Sequence, residues 1–164
     1  MSIQQFEILR ECTDCESFTS KRLELFHQKP VMTTRAVSCN CGQLRAEVTG
    51  EPVRVSVCHC DECQRRTGSV FAVQARFPRE AVHIKGEGTE FVRTNDEGAK
   101  CRFTFCATCG STVFYVEEGR EQHVAIPVGG FADPAFPAPT VSVYEESRHS
   151  WVVMPAEMVH RSQA

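Results

Sequence analysis

Residues 53–63 read VRVSVCHCDEC, and this stretch decides the architecture. Val53, Val55 and Val57 alternate with polar residues and run directly into Cys58, the period-two pattern of a strand half-buried against a core. The strand then delivers Cys58-x-Cys60-x-x-Cys63, three sulfurs in quick succession. The same alternation recurs on both sides. It begins after Met32, and Leu44, Ala46 and Val48 form a strand stopped at Gly50. Val70–Arg76 reads as another, ended by Pro78. Glu90–Thr94 and Lys100–Phe105 flank Asn95-Asp96-Glu97-Gly98, a hairpin turn with glycine where a positive φ is needed. Thr112–Val116 and Val124–Val128 follow. A long irregular loop is marked by Gly129-Gly130, Pro134, Pro137 and Pro139, and Thr140–Tyr144 and Trp151–Val153 close the set. Many short strands separated by turn signals, with no convincing long helix, predict an all-β fold.

Composition narrows the function classes. A chain of 164 residues with 41% hydrophobic residues suits one ordinary core. Lys+Arg 18 against Asp+Glu 21 leaves a formal net charge of -3, so there is no basic field for nucleic acid. No run approaches the roughly 18 apolar residues of a membrane span, and MSIQQFEILRECTDCE does not read as a secretory signal. A cytoplasmic location is therefore expected. There, 10 closely spaced cysteines point to metal ligands or redox groups sooner than disulfides. Residues 1–31 carry only a weak helical period and are expected to form an N-terminal leader ahead of a domain over residues 32–164.

The cysteines fall into clusters. Cys39-x-Cys41-Gly42 and Cys106-x-x-Cys109-Gly110 are two separated pairs, the requirement for a closed tetrahedral four-thiolate zinc site. The glycine after each second cysteine suits the sharp knuckle turn, and nearby N–H groups can then point at the sulfurs. Cys39, Cys41, Cys106 and Cys109 are thus expected to hold a structural zinc. Cys58, Cys60 and Cys63 supply three sulfurs only. A second zinc held there keeps a position open for water or a thiol, with formal charge near minus one. Such a centre suits sulfur chemistry better than hydrolysis.

Other residues compete for roles. His59 is a candidate fourth ligand, although the alternation puts it with Val55 and Val57 on the face opposite the cysteines. Cys101 is another, yet its alternation with Phe103 and Phe105 suits a buried strand residue. Cys12-x-x-Cys15 lacks a matching pair and a following glycine. Arg65 and Arg66 are candidates for a substrate carboxylate or for offsetting an anionic metal centre, with plain surface solvation as the alternative. No phosphate loop, nucleophile elbow or His-Glu-x-x-His helix is present.

The order SCNCG, CHCDECQRRTGS, FCATCGS and VSVYEESRHSW resembles the glutathione-dependent formaldehyde-activating enzyme family, also called the CENP-V/GFA domain, over roughly residues 35–155. The resemblance implies a β-tent of stacked antiparallel sheets with two zinc sites. By position, Cys39, Cys41, Cys106 and Cys109 match its structural zinc, and Cys58, Cys60 and Cys63 its catalytic-type zinc. It also implies a carbon–sulfur lyase joining a small thiol such as glutathione to a small aldehyde, formaldehyde in the family's named enzyme. A non-catalytic zinc-stabilised β module that binds a partner is the alternative, and a redox or metal-sensing role for the thiolates a third.

Overall fold

The computed structural model describes residues 32–95 and 98–163; the expected leader, with Cys12 and Cys15, lies outside the described residues. Within them are the strands β1 (Thr34–Ser38), β2 (Arg45–Thr49), β3 (Arg54–Cys58), β4 (Ala72–Pro78), β5 (Val82–Lys85) and β6 (Thr89–Thr94). They are followed by β7 (Lys100–Phe105), β8 (Thr112–Glu117), β9 (His123–Pro127), β10 (Val141–Val143) and β11 (Val159–Arg161). A helix of 7 residues, α1 (Asp61–Thr67), interrupts them after β3. The all-β expectation holds. No helix among the described residues is long and apolar enough to cross a membrane.

The strands form a 3-stranded sheet, β1-β2-β5, and an 8-stranded sheet ordered β11-β10-β3-β4-β9-β8-β7-β6. The sheets are stacked and mainly antiparallel, as expected, and at one edge β10 runs parallel to both β3 and β11. A parallel neighbour cannot be reached through a tight hairpin. Here the glycine- and proline-rich segment after β9 supplies the longer connection into β10. The β6–β7 hairpin forms as expected, with Gly98 at φ 85°.

Trp151–Val153 is not a strand. The Val152 N–H donates to the His149 carbonyl at 2.9 Å, closing a turn that buries Val152 between exposed Trp151 and Val153. Three residues of alternation fit such a turn as well as a strand, and the pairing falls instead to β11.

The large sheet separates two environments, and strand periodicity decides which residue enters each. On one face Ala75, Phe77, Val124 and Ile126 share a core with Val37, Leu44, Ala46 and Val48 of the small sheet. Leu44, Phe77 and Ile126 are the largest apolar side chains fully buried there, each worth about 1.5–3 kcal/mol on leaving water. The intervening residues face the other way. Cys101, Phe103, Tyr115 and Ala125 form a second, smaller cluster. Beside it lie Ser56, Cys58, Gln74 and Arg76, lining one cavity.

The far edge is tied by a polar network. Glu145 accepts from Ser142, from Arg148 Nε at 2.7 Å and from His160 of β11 at 2.9 Å. The hydrogen bond to Glu145 raises the His160 pKa above its ordinary 6.5. Glu145, despite the opposing effect of desolvation, is held below 4.5 by Ser142, His160 and Arg148. The His160 contribution is therefore fully present below pH 6.5 and is lost as pH rises through the raised value, with Glu145 charged throughout. Amide exchange of Val159–Arg161, corrected for intrinsic rates, is expected to accelerate relative to β4 above that value. In His160→Gln this pH step should vanish.

Candidate metal centres

The four-cysteine group assembles from both sheets. Cys39 and Cys41 lie between β1 and β2, and Cys106 and Cys109 between β7 and β8. Their sulfurs all lie within 4.8 Å of one another. Cys41 Sγ is 3.6 Å from Cys39 Sγ and 3.6 Å from Cys106 Sγ. A zinc ion with bonds near 2.3 Å sets tetrahedral edges of about 3.8 Å, so this donor set fits a closed thiolate site. Gly42 and Gly110 adopt φ 79° and 75°, left-handed values that let each knuckle turn after its second cysteine. The Leu44 N–H points at Cys39 Sγ from 3.3 Å, as expected for a sulfur carrying charge.

Protonation shows what this crowding costs. Hydrogen bonding from the Ser111 hydroxyl lowers Cys109 to about 5. Cys41 is pushed up to about 11: its contact with the Gln43 N–H favours the thiolate, but neighbouring Cys39 and Cys106 outweigh it. Sulfurs this close do not all ionise unless a cation lies among them.

The second group has three members, again with all sulfurs within 4.8 Å. Cys58 ends β3, Cys60 precedes α1, and Cys63 sits one turn into it. The Cys58 and Cys60 sulfurs are 3.4 Å apart. Hydrogen bonds from Cys58 and then Cys63 lower the Cys60 thiol to about 2, while the same contact pushes Cys58 well above its ordinary value. This donor set also fits a thiophilic divalent ion, with one fewer protein sulfur.

Helix α1 places this group. Asp61 and Glu62 occupy its first turn and Arg65 and Arg66 its last, each sign matching the helix dipole. Gly68 closes it by donating to the Gln64 carbonyl at 2.8 Å. Gln64 anchors the helix, donating to the carbonyls of His59 at 2.7 Å and Ser147 at 3.2 Å.

The candidate fourth ligands stand apart from the three sulfurs. His59 is fully buried, and its Nε2 lies 3.1 Å from Ser142 Oγ. Cys101 is buried on β7 and lines the same cavity as the cluster, but its sulfur is not part of the group. Burial, followed by Glu117, pushes its thiol up, so it stays protonated.

The cavity, about 70 Å³, opens behind the three cysteines. Four arginines line it: Arg54, Arg66, Arg76 and Arg93. Of the two arginines singled out from the sequence, Arg66 lies 5.3 Å from the Phe103 ring centroid and 6.0 Å from that of Tyr115. Arg65 instead turns to its own helix, pairing with Glu62 at 2.9 Å and Asp61 at 3.6 Å. An open groove of about 360 Å³ adjoins the cavity, and Arg66, Arg93 and Phe103 line both. Sequence reasoning missed Arg54, Arg76, Arg93 and Glu117. Their signal was a charged residue on the non-core phase of a strand, which also describes any solvent-facing position.

These features define a class: an all-β protein with one group of four and one group of three cysteines, each able to hold a metal ion. The sequence model of the glutathione-dependent formaldehyde-activating enzyme family matches residues 34–147, spanning both cysteine groups, and the chain belongs to this family. A relative from Pyrenophora teres f. teres, named "Putative glutathione-dependent formaldehyde-activating enzyme", is 27% identical over 130 residues, 73% of this chain and 65% of its own length. A relative of the same name from Penicillium rubens is 26% identical over 121 residues, 68% of this chain and 63% of its own. The chain thus spans somewhat less than two-thirds of these relatives. Among solved structures, a Rhodobacter sphaeroides protein aligns with a TM-score of 0.47 and 20% identity, over 60% of this chain and 91% of that one.

The two groups are expected to respond differently to loss of one sulfur. Cys106→Ser should abolish cooperative thermal unfolding, because a structural zinc contributes on the order of 10 kcal/mol to folding. Cys63→Ser should retain a cooperative transition while metal content per chain drops by one ion. Calorimetry with elemental analysis checks both.

Proposed function

We propose that this protein is a zinc-dependent carbon–sulfur lyase of the S-(hydroxymethyl)glutathione synthase type, joining a small thiol reversibly to a small aldehyde. The observation that carries this reading is the three-sulfur group bordering a cavity, in a chain whose other group has four. The family description and the names of both relatives point to the same chemistry.

Cys39, Cys41, Cys106 and Cys109 would hold a structural zinc, and Cys58, Cys60 and Cys63 the second. Zinc bound at the second group lowers the pKa of an incoming thiol, making it a positioned thiolate at neutral pH. The protein's own part is binding and orientation. The groove beside the cavity has room for the body of a tripeptide thiol, with its sulfur turned towards the cysteine group. Arg66, on the wall shared by groove and cavity, would receive a carboxylate of that thiol. Arg65 is the poorer candidate, because its guanidinium is already engaged by Asp61 and Glu62. Burial raises the Tyr115 phenol pKa and keeps this hydroxyl neutral beside the reacting group.

X-ray absorption at the zinc edge, with and without glutathione, tests the reading. The average sulfur coordination of the two-zinc protein is expected to rise when glutathione is added, and Cys63→Ser should remove the change. Full sulfur coordination at both zincs before any thiol is added would mark the second site as structural and overturn the lyase assignment.

A further inference from the structure

The polar lining of the cavity is far more cationic than a neutral aldehyde requires. Arg54 of β3 and Arg76 of β4 are direct cross-strand partners, an arrangement that places like charges side by side in one sheet. Glu117 offsets Arg76 at 3.2 Å, but it also pairs with Arg120 at the same distance. Arg54 has no acidic partner among the described residues, and its pKa is lowered by burial and by neighbouring Arg76. Arg66 and Arg93 lie over the Phe103 ring, at 5.3 and 5.8 Å, and no carboxylate among the described residues pairs with either. Three thiolates around a divalent ion contribute one net negative charge and Glu117 another. With Arg66 given to the carboxylate of the thiol, Arg54, Arg76 and Arg93 bring three positive charges against those two, and one remains unbalanced within the cavity.

The hydrogen-bonding inventory makes the missing partner more specific. Among the described residues, the Nε donors of Arg54, Arg66 and Arg76 are buried without an acceptor, and Gln74 Oε1 is buried without a donor. Gln74 itself is 95% buried, given its exposure of 5%, and lines the cavity. Its amide nitrogen reaches Ser56 Oγ at 3.5 Å, and the oxygen has no partner among the described residues. A group that complements this lining accepts several N–H bonds and donates one O–H bond. An α-hydroxycarboxylate does both: its carboxylate meets the guanidiniums, and its hydroxyl meets Gln74. At about 10–15 Å³ for each water-sized group, the cavity of about 70 Å³ takes roughly five to seven such groups, the size of a two-carbon acid.

We propose that the aldehyde handled at this site carries its own carboxylate, a two-carbon aldehydic acid of the glyoxylate type. This rests on the thiol–aldehyde reading above and narrows it. The thiolate sulfur forms a bond to the aldehyde carbon, the carbonyl π bond opens, and the proton given up by the thiol ends on the former carbonyl oxygen. The product is a hemithioacetal, which is an α-hydroxycarboxylate bearing sulfur on the same carbon. No oxidant or reductant is needed, and the reverse step restores both substrates.

Glycolate, which has the carboxylate and hydroxyl of the adduct but no reactive carbonyl, is the direct probe. Isothermal titration calorimetry on the zinc-loaded full chain should detect glycolate binding, whereas ethylene glycol, its neutral counterpart, should give none. Arg54→Gln should weaken glycolate at least about tenfold, the loss of one charge-assisted contact. Arg93→Gln on the edge strand β6 should also weaken it, and supplies the test if Arg54→Gln fails to fold. Adduct formation with glutathione, followed by NMR, should favour glyoxylate over formaldehyde. Formaldehyde adduct formation with no glycolate binding would overturn the carboxylate proposal and leave the lyase reading intact. Arginine-dependent glycolate binding with no aldehyde consumed would support the carboxylate subsite and overturn the lyase reading instead.

Discussion

Sulfur crowding is the constraint on which the rest of this fold depends. Cys41 lies 3.6 Å from Cys106, a residue 65 positions away in sequence, and that contact joins a loop of the small sheet to a loop of the large one. Neighbouring sulfurs resist ionising together, as in Cys41, which Cys39 and Cys106 push up despite its contact with the Gln43 N–H. Without a cation, only weak thiol contacts would hold this junction. A cation bound there would convert mutual opposition into four bonds and close a long loop in the same event, so that metal affinity would become folding free energy. The apolar core between the sheets begins at this junction, because Cys39 and Cys106 belong to the same buried cluster as Leu44 and Phe77.

The large sheet then turns one repeating pattern into two surfaces. Along β4, Ala75 and Phe77 go to the core while Gln74 and Arg76 line the cavity. Along β8, Phe114 and Val116 go to the core while Tyr115 and Glu117 line the cavity. A one-residue slip would exchange the two sets and put Arg76 of β4 or Glu117 of β8 into the apolar core. The requirement that keeps the core dry thus also gathers the cavity's charged groups. Core and candidate site are separated by the thickness of one sheet and fixed by the same register.

This explains how far the sequence could be read. Strands β2, β3, β6, β7, β8 and β9 were legible because each alternates over several residues and ends at a turn. Both cysteine groups were legible because their members come in close pairs or triplets, with Gly42 and Gly110 as further marks. Trp151–Val153 failed because three residues are too few to distinguish a strand from a turn. The parallel placement of β10 was hidden because strand direction depends on the course of a loop that carries no periodicity. Arg54, Arg76 and Arg93 were hidden for a different reason. Each sits alone on a separate strand, and only strand pairing turns three ordinary exposed-phase residues into one cationic wall.

Two arginines that are adjacent in sequence show how local contacts divide labour. Arg65 spends its charge on Asp61 and Glu62 of its own helix, where the pairs are exposed and worth at most about 1 kcal/mol. Arg66, one position on, turns to the opposite side and rests over Phe103 and Tyr115. An aromatic face steadies a guanidinium without competing for its N–H donors, whereas a carboxylate would occupy them. Arg93 is held over Phe103 in the same way from the neighbouring strand. The shared wall of cavity and groove therefore presents two positive groups that are positioned but not neutralised. That is the condition for binding an anion with little reorganisation, and it comes from placing aromatic residues, not acids, beneath the arginines.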